Sequence, residues 1–270
     1  MFKSIKNLFN QKNSSIPPEK RPVLIADPVG LVPDHTPDYI DPCFCGSEKY
    51  FKDCCGSNNE KRLPPYGVFV FPSFIDKNKV KELRELADFH KGKPLMVVDE
   101  KKSTPDNLVE VVDERRVAEH VELGNDFNLI NDLVRKAFTE IPPKYFNCEV
   151  EWYERPTLMR YHAGGYYYSH ADSENMNLEQ TYWKKIMDRD LSLLLYLNDD
   201  YEGGELFFRR FNYRIRPKAG MAIMFPSDNR YIHTAETVEE GVRYAIVSWA
   251  SVKGIKKVLN QRPNNCFEIN

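Results

Sequence analysis

The fold of this chain is decided by residues 191–226, which read LSLLLYLNDDYEGGELFFRRFNYRIRPKAGMAIMFP. Short apolar or alternating runs follow one another here, over residues 191–197, 205–208, 213–216 and 221–225. Turn-forming residues separate the runs, among them Asn198-Asp199-Asp200, Gly203-Gly204 and Pro217-Lys-Ala-Gly220. Many short strands with such punctuation are typical of an all-β sandwich or barrel.

The same texture extends on both sides of this stretch. Further short runs occupy residues 157–161, 231–237 and 243–249, and residues 66–71 read as an earlier strand. Two helices are predicted to precede the β-rich half. Asp76 can cap the first, over residues 76–90, and apolar spacing indicates the second, over residues 126–139. We therefore expect a mainly β protein with flanking helices, of the α+β class.

Three local expectations complete the secondary structure. Pro142-Pro143 should end the second helix, because proline lacks the amide hydrogen that a helix needs. The charged stretch 113–122 looks helix-like, and residues 177–189 fit a helical insert or lid better than a strand. Along the chain we distinguish a proline-rich leader (1–42), a cysteine module (43–57), a main domain (64–252) and a tail (253–270).

Composition excludes several classes of function. With 38 Lys and Arg against 40 Asp and Glu, the net charge of −2 gives no bulk attraction for nucleic acid or anionic membranes. No apolar run approaches the roughly 20 residues of a membrane span, and the first residues lack the apolar core of a signal peptide. We expect a soluble, cytoplasmic protein with neither a nucleic-acid nor a membrane partner.

The cysteine module holds four of the six cysteines, at positions 43, 45, 54 and 55. Four thiolates that converge in this way suit a closed, tetrahedral Zn²⁺ site. Disulfide bonds are the first alternative, although the reducing compartment argues against them. Buried free cysteines are the second, although a short polar segment offers no core to bury them. Structural zinc bound by Cys43, Cys45, Cys54 and Cys55 is the favoured interpretation.

A second group of candidate ligands lies in the β-rich half. His170 and Asp172 are two positions apart, so a strand would point both side chains to the same face. With His233 as a third ligand, two imidazoles and one carboxylate would form the facial triad of non-heme Fe(II) oxygenases. His120-Val-Glu122 has a similar form, but its charged surroundings favour a surface histidine.

Arg243 stands out because it lies inside an otherwise apolar run, Val242–Trp249. A buried guanidinium needs a partner, and its planar fork matches a carboxylate at two points. Next to the triad it could anchor a carboxylate-bearing cosubstrate. A structural salt bridge is the alternative.

Five motifs together resemble the prolyl 4-hydroxylase family of 2-oxoglutarate- and Fe(II)-dependent dioxygenases. In chain order they are Tyr161-His-Ala-Gly-Gly-Tyr-Tyr-Tyr-Ser-His170-Ala-Asp172, Leu193-Leu-Leu-Tyr196 through Glu205-Leu-Phe-Phe, Pro217 through Ser227, His233 and Arg243. The resemblance spans roughly residues 66–250. It implies a double-stranded β-helix, or jelly roll, with both predicted helices buttressing one sheet.

The resemblance also implies an activity and its cofactors. His170, Asp172 and His233 would bind Fe(II), and the cosubstrates would be 2-oxoglutarate and O2, with ascorbate as an accessory reductant. A prolyl residue in a protein or peptide would be hydroxylated while 2-oxoglutarate is decarboxylated to succinate and CO2. Asp172 favours hydroxylation, because related halogenases lack a carboxylate at that position.

Residues around the cosubstrate follow from the same resemblance. Arg243 would pair with the distal carboxylate of 2-oxoglutarate, and Tyr196 would add a hydroxyl to it. Tyr161 would contact the cosubstrate, and Trp249 would form part of the site wall. Collagen-type enzymes carry lysine where Arg243 stands, so the chain looks more like the oxygen-sensing and bacterial branch. Further aromatic residues could form a rim for an extended peptide, with a position in the core as the alternative for about half of them: Tyr166, Tyr167, Tyr168, Tyr182, Trp183 and Tyr201.

The cysteine module resembles the SEC-C zinc motif, in which eight residues separate Cys-x-Cys from a following Cys-His or Cys-Cys. The resemblance implies docking to a protein partner or to the translation apparatus. Two alternatives to a prolyl hydroxylase remain: the same chemistry on another residue or a small molecule, and a non-enzymatic β-fold binding module.

Overall fold

The computed structural model describes residues 32–45, 47–57, 63–98, 110–112, 114–177 and 181–269. Residues 1–31, most of the predicted leader, lie outside this part. In chain order the strands are β1 (Phe69–Phe71), β2 (Gly92–Pro94), β3 (Met96–Val98), β4 (Glu110–Val112), β5 (Arg116–Val117), β6 (Glu119–Val121), β7 (Val150–Glu154), β8 (Thr157–His162), β9 (Tyr166–His170), β10 (Glu174–Asn177), β11 (Tyr182–Lys185), β12 (Leu191–Tyr196), β13 (Glu202–Gly203), β14 (Leu206–Phe208), β15 (Tyr213–Ile215), β16 (Ala222–Pro226), β17 (His233–Ala235), β18 (Val238–Glu240), β19 (Val242–Val252) and β20 (Cys266–Glu268).

Two antiparallel sheets dominate the fold. The larger runs β1-β16-β12-β19-β8-β6-β2, and β7 and β20 extend it beside β19. The smaller runs β15-β14-β17-β9-β5, and three strand pairs, β3-β4, β10-β11 and β13-β18, lie outside the two. The mainly β jelly roll expected from the sequence is confirmed. Residues 253–269 also contribute, because β20 pairs with β7.

The two-residue period of the strands divides the larger sheet into two faces. On β12, Leu191, Leu193 and Leu195 join the core cluster that contains both helices. The alternate residues Ser192, Leu194 and Tyr196 line a cavity on the opposite face. The same alternation on β19 sends Tyr244, Ile246 and Ala250 to the helices and Arg243, Ala245, Val247 and Trp249 to the cavity.

Helix α1 (Lys77–Phe89) begins where the sequence predicts. The Asp76 carboxylate accepts hydrogen bonds from the amides of Asn78 and Lys79, both at 3.0 Å. This satisfies two amide groups that the first turn of a helix leaves unpaired. The buried face carries Leu83 and Ala87, which pack on the larger sheet.

Helix α2 (Phe127–Tyr145) passes through Pro142-Pro143, so the predicted end at these prolines is wrong. Proline has a helical φ angle, and its cost here is the loss of two amide donors in the final turn. Ile141, Pro142 and Phe146 are buried, and Phe146 N–H donates to the Pro142 carbonyl at 2.9 Å. Burial of this last turn against the sheet outweighs the lost bonds.

Two other predictions of helix are wrong, because the described residues of both segments include strands. Residues 113–122 include β5 and β6, where Glu119 faces Arg160 across the strand pair at 2.7 Å. His120 is half-buried on β6 rather than on a helix surface. Within 177–189 lies β11, which pairs with β10 and sets Trp183 opposite Met176. Cross-strand charge and apolar pairs explain both outcomes.

Neither helix in the described part of the chain is long and apolar enough to cross a bilayer.

The cysteine module packs on the edge of the jelly roll. Phe44, between two cysteines, meets Phe211 edge-on with 5.4 Å between ring centroids. The preceding residues add hydrogen bonds, from Thr36 to the Arg209 carbonyl at 2.9 Å and from Arg210 to the Pro33 carbonyl at 3.2 Å.

Replacing Asp76 by alanine should lower the free energy of unfolding by about 1 kcal/mol, because two first-turn amides lose their acceptor. Urea denaturation followed by circular dichroism measures this loss. Glu85→Ala on the exposed face of α1 is the control and should change stability by less than about 0.5 kcal/mol. Equal stability of the two variants would contradict the capping role.

Candidate active site

The two histidines that the sequence singled out face each other across a strand pair. His170 ends β9 and His233 begins β17, and the two are directly paired in the smaller sheet. Asp172 follows His170 by two residues. Its carboxylate oxygens lie 3.5 Å from His170 Nε2 and 3.7 Å from His233 Nε2. One ligand atom from each residue falls within 4.8 Å of the others, as a shared metal ion requires.

Backbone carbonyls hold both imidazoles in the same orientation. His170 Nδ1 lies 2.7 Å from the Tyr168 carbonyl, and His233 Nδ1 lies 3.1 Å from the Tyr231 carbonyl. A carbonyl can only accept, so each Nδ1 carries the hydrogen and donates it. Each Nε2 therefore presents its lone pair toward Asp172, which is the tautomer that a metal ligand needs.

Burial and charge keep the ligand atoms in their metal-binding protonation states. Burial alone would raise the pKa of Asp172, but the two histidines and the Ser192 hydroxyl outweigh it and hold the pKa well below its usual range. Burial, with His170 nearby, lowers the pKa of His233 to about 4. At neutral pH the pair is a carboxylate and a neutral imidazole, the forms that coordinate metals.

Asp172 is fixed by a serine pair from the larger sheet. Ser192 on β12 donates to Asp172 Oδ2 at 2.6 Å, and its oxygen lies 2.8 Å from that of Ser227. The Asp172 amide donates to the Ser227 carbonyl at 3.0 Å. The sequence analysis missed both serines, because only the pairing of β12 with β16 brings them together.

Arg243 is buried deep in the same cavity, at 2% exposure. One terminal nitrogen donates to the Gly204 carbonyl at 2.7 Å, and the guanidinium lies 4.1 Å above the Tyr161 ring. Its Nε is buried without a hydrogen-bond partner in the described structure, and so is the Tyr201 hydroxyl. An oxygen-rich anion bound here would satisfy such donors, whereas leaving them unpaired is costly.

The other residues predicted to contact the cosubstrate lie where the alternation of the strands sends them. Tyr161, Tyr196 and Trp249 line the cavity together with the triad. Burial raises the pKa of Tyr196, so its hydroxyl is protonated and can donate a hydrogen bond. The Arg189 guanidinium lies 3.9 Å from the Trp249 ring and fixes its position.

The aromatic residues proposed as a rim divide into different environments. Tyr166 and Tyr168 stack on each other, and Tyr168 and Tyr182 are exposed. Tyr167 instead stacks on the His170 ring at 3.6 Å. Tyr201 is buried, with a pKa raised to about 12 by burial, so it matches the alternative of a core position. Its turn folds inward because Gly203 and Gly204 adopt positive φ angles.

Arg116 is a cavity residue that the sequence analysis did not find. It lies on β5, pairs with Tyr167 on β9 and places its guanidinium 4.7 Å from the Tyr167 ring. Its segment looked like a charged surface helix, and only the strand pairing reveals where the side chain points.

The four module cysteines also converge. The sulfurs of Cys43, Cys45, Cys54 and Cys55 can each offer a ligand atom within 4.8 Å of the others. Cys45 Sγ lies 3.4 Å from Cys43 Sγ and 3.5 Å from Cys54 Sγ. All four are free thiols in this structure. Burial and the neighbouring thiols raise the pKa of Cys55, so joint ionisation of the cluster needs a compensating cation.

Comparisons with known proteins agree with this geometry. The 2OG-Fe(II) oxygenase superfamily model matches residues 156–251. Human prolyl 3-hydroxylase 2 is 36% identical over 78 residues, which is 27% of this chain and 11% of that protein. A PKHD-type hydroxylase of Psychrobacter sp. (strain PRwf-1) is 39% identical over 100 residues, which is 35% of this chain and 36% of that protein. The chain therefore spans only a small part of the curated relatives that it matches.

A solved structure shows the same fold. The viral collagen prolyl hydroxylase from Paramecium Bursaria Chlorella virus-1 superposes with a TM-score of 0.50 at 20% sequence identity, covering 73% of this chain and 99% of that one. Residues 156–251 thus match the 2OG-Fe(II) oxygenase superfamily model, and the relatives that share sequence with this part of the chain include prolyl hydroxylases.

Proposed function

We propose that the chain is an Fe(II)- and 2-oxoglutarate-dependent dioxygenase that hydroxylates a prolyl residue in a protein or peptide. The observation that carries this proposal is the convergence of His170, Asp172 and His233 beside the buried Arg243. The superfamily match over residues 156–251 supports the same reaction class.

The donor set fits the two groups that this reaction requires. Two imidazoles and one carboxylate on one face leave room for further ligands, which suits Fe(II) in oxygenases. Arg243, whose Nε has no hydrogen-bond partner among the described residues, and the Tyr196 hydroxyl both line this cavity and can donate to a carboxylate. The site thus has one place for a metal and one for an acid.

In this proposal His170, Asp172 and His233 hold the iron, and Arg243 pairs with the distal carboxylate of 2-oxoglutarate. Tyr196 donates its hydroxyl to the same carboxylate, and the Tyr161 ring supports the guanidinium from below. When bound, the iron and 2-oxoglutarate supply the oxidising chemistry, which converts 2-oxoglutarate to succinate and CO2 and inserts oxygen from O2 into the substrate.

The protein's own contribution is order and exclusion of water. Ser192 holds the Asp172 carboxylate, and two carbonyls hold the histidines, so little rearrangement is needed on metal binding. Leu206, Ala245 and Val247 line the cavity with apolar groups, which limits the access of water to reactive species.

A prolyl substrate is favoured by the matched relatives, among them human prolyl 3-hydroxylase 2. A second cavity, with a volume of about 290 Å³, opens beside the triad. Trp249 lines both this cavity and the one that contains the triad. That space suits a residue of an extended chain next to the metal. Oxidation at the 4-position of the proline ring stays a prediction. The use of ascorbate and a cytoplasmic location also stay predictions.

We further propose that Cys43, Cys45, Cys54 and Cys55 bind one structural Zn²⁺. The convergence of four thiols and the SEC-C-like spacing support this site. The metal would close the module, which buries only Cys43 and Phe51 among its apolar side chains. A protein or translation-apparatus partner for the module stays a prediction, and so does the division of the chain into leader, module, main domain and tail.

The purified full chain, supplied with Fe(II), O2 and 2-oxoglutarate, should form succinate, because the proposed reaction decarboxylates 2-oxoglutarate. We expect this turnover to be slow without a substrate. Asp172→Ala should lower this rate by more than about a hundredfold, since one metal ligand is lost. The measurement is succinate by mass spectrometry, with circular dichroism to show that the variant is folded. Asp132→Ala, on the exposed face of α2, is the control. Normal turnover by Asp172→Ala would contradict the ligand assignment.

Arg243→Met should raise the KM for 2-oxoglutarate by at least about tenfold, because a charge-assisted hydrogen bond contributes about 1.5–3 kcal/mol. Arg243→Lys should recover part of the loss, since it keeps a charge without the planar fork. Initial rates of succinate formation against 2-oxoglutarate concentration measure the effect. An unchanged KM in the methionine variant would rule out this role for Arg243.

The chain should retain one zinc per molecule after dialysis, as measured by elemental mass spectrometry. Cys45→Ser combined with Cys54→Ser should abolish zinc retention, because only two thiolates remain. Cys148→Ser combined with Cys266→Ser is the matched control and should retain the metal. Zinc-free protein whose intact mass shows disulfide bonds would overturn the assignment.

A further inference from the structure

The second cavity, here named the outer cavity, adjoins the iron site. Its walls include Arg116, Tyr167, Asp172 and Trp249, which also line the inner cavity that holds the triad. A molecule in the outer cavity would therefore lie beside the metal. A substrate would bind in this cavity, so the residues that line it would determine which substrates are recognised.

The outer cavity has three arginines and one glutamate on its walls, apart from the metal ligand Asp172. Glu154 is fully occupied, because Arg189 donates to both of its oxygens, at 2.5 and 2.7 Å. This leaves Arg116 and Arg155. In the described part of the chain, no ion pair joins either of them to a carboxylate.

Arg116 lies at the junction of the two cavities, against the ring of Tyr167. Its Nε is buried and has no hydrogen-bond partner among the described residues. Burial of an unpaired guanidinium nitrogen is costly, and an incoming oxygen would relieve that cost. Tyr167 in turn stacks on His170, so an anion on Arg116 would lie close to the metal.

Arg155 is the second cation and lies toward the outside. It is exposed, and its guanidinium lies 3.5 Å from the Phe127 ring centroid, which restrains its position. Arg155 lines the outer cavity but not the inner one. Its charge is therefore presented to the substrate rather than to 2-oxoglutarate.

We infer that the outer cavity recognises an acidic side chain, Asp or Glu, that lies next to the oxidised residue of a peptide substrate. Two guanidinium groups without carboxylate partners, one inside and one at the mouth, match a carboxylate better than any neutral group. Asn265 and Thr157 also line the outer cavity, and their side chains can contact the peptide backbone without adding negative charge. The inference rests on the proposed function, because it assumes that a peptide is bound beside the iron site.

The test is an affinity selection on the immobilised full chain, loaded with Mn(II) and 2-oxoglutarate so that the site is filled without turnover. The probe is a library of capped heptapeptides with any residue at the centre and Asp, Glu, Asn, Gln or Ala at each flanking position. Retained peptides are counted by mass spectrometry. We expect Asp or Glu to be enriched about tenfold over Asn or Gln at one flanking position or at two adjacent ones.

Variants assign the preference to the two arginines. Arg116→Gln and Arg155→Gln should each reduce the acid-over-amide ratio at least about threefold, and Arg214→Gln should keep it. Arg214, on β15, is a matched control, because it pairs with Glu236 and does not line the outer cavity. The effect in Arg155→Gln separates substrate recognition from cosubstrate binding.

Two outcomes would overturn the inference: wild-type protein with no acid preference, including one that retains no peptide, and a preference that survives both arginine variants. Succinate formation by the same preparation with Fe(II) is measured in parallel. If succinate forms but no acid preference is found, the oxygenase proposal stands and this inference fails. If an acid preference is found but succinate never forms, the oxygenase proposal fails instead.

Discussion

The Asp172 carboxylate between two imidazoles is the interaction on which the site depends. A carboxylate this deeply buried needs compensation: the Ser192 hydroxyl donates to it, and a cation bound between it and the two imidazoles would balance its charge. The three ligands come from two strands and the residue that follows one of them, so their convergence requires β9 and β17 to pair in one register. A slip of one residue would turn either histidine to the opposite face of the sheet. The register of the smaller sheet is thus a functional constraint as well as a structural one.

The two faces of the larger sheet differ in character. One packs on the helices and is apolar, and the other lines the cavity and carries polar side chains. On the central strand β12 the residues alternate, with Leu191 and Leu195 toward the helices and Ser192, Leu194 and Tyr196 toward the cavity. Of the residues that face the cavity, Arg243 costs the most free energy to bury. It is held by a carbonyl and an aromatic ring but keeps one buried nitrogen unsatisfied. Such a residue destabilises the protein unless a ligand completes its hydrogen bonds, which is characteristic of binding sites.

The sequence predicted the parts of this arrangement that depend on local patterns. Strands β8, β12 and β16 lie where apolar runs and turns placed them, and the Asp76 cap follows from the start signal of α1. The roles assigned to the triad remain predictions, but the three residues do lie together. What the sequence did not reveal depends on distant pairing. Arg116 and Ser192 reach the cavity only through their partner strands, and the final turn of α2 is kept by burial that no local rule describes.

The cysteine module bears on the iron site through a short series of contacts. Phe44 packs on Phe211, and the Phe211 ring lies 5.7 Å from that of Tyr231. The Tyr231 carbonyl accepts the hydrogen bond that orients His233. The module has little core of its own, so the proposed zinc would add a crosslink to the packing on the jelly roll. The cysteine cluster and the His-Asp-His triad differ in ligand chemistry, but this aromatic packing connects them, and its order contributes to the position of His233.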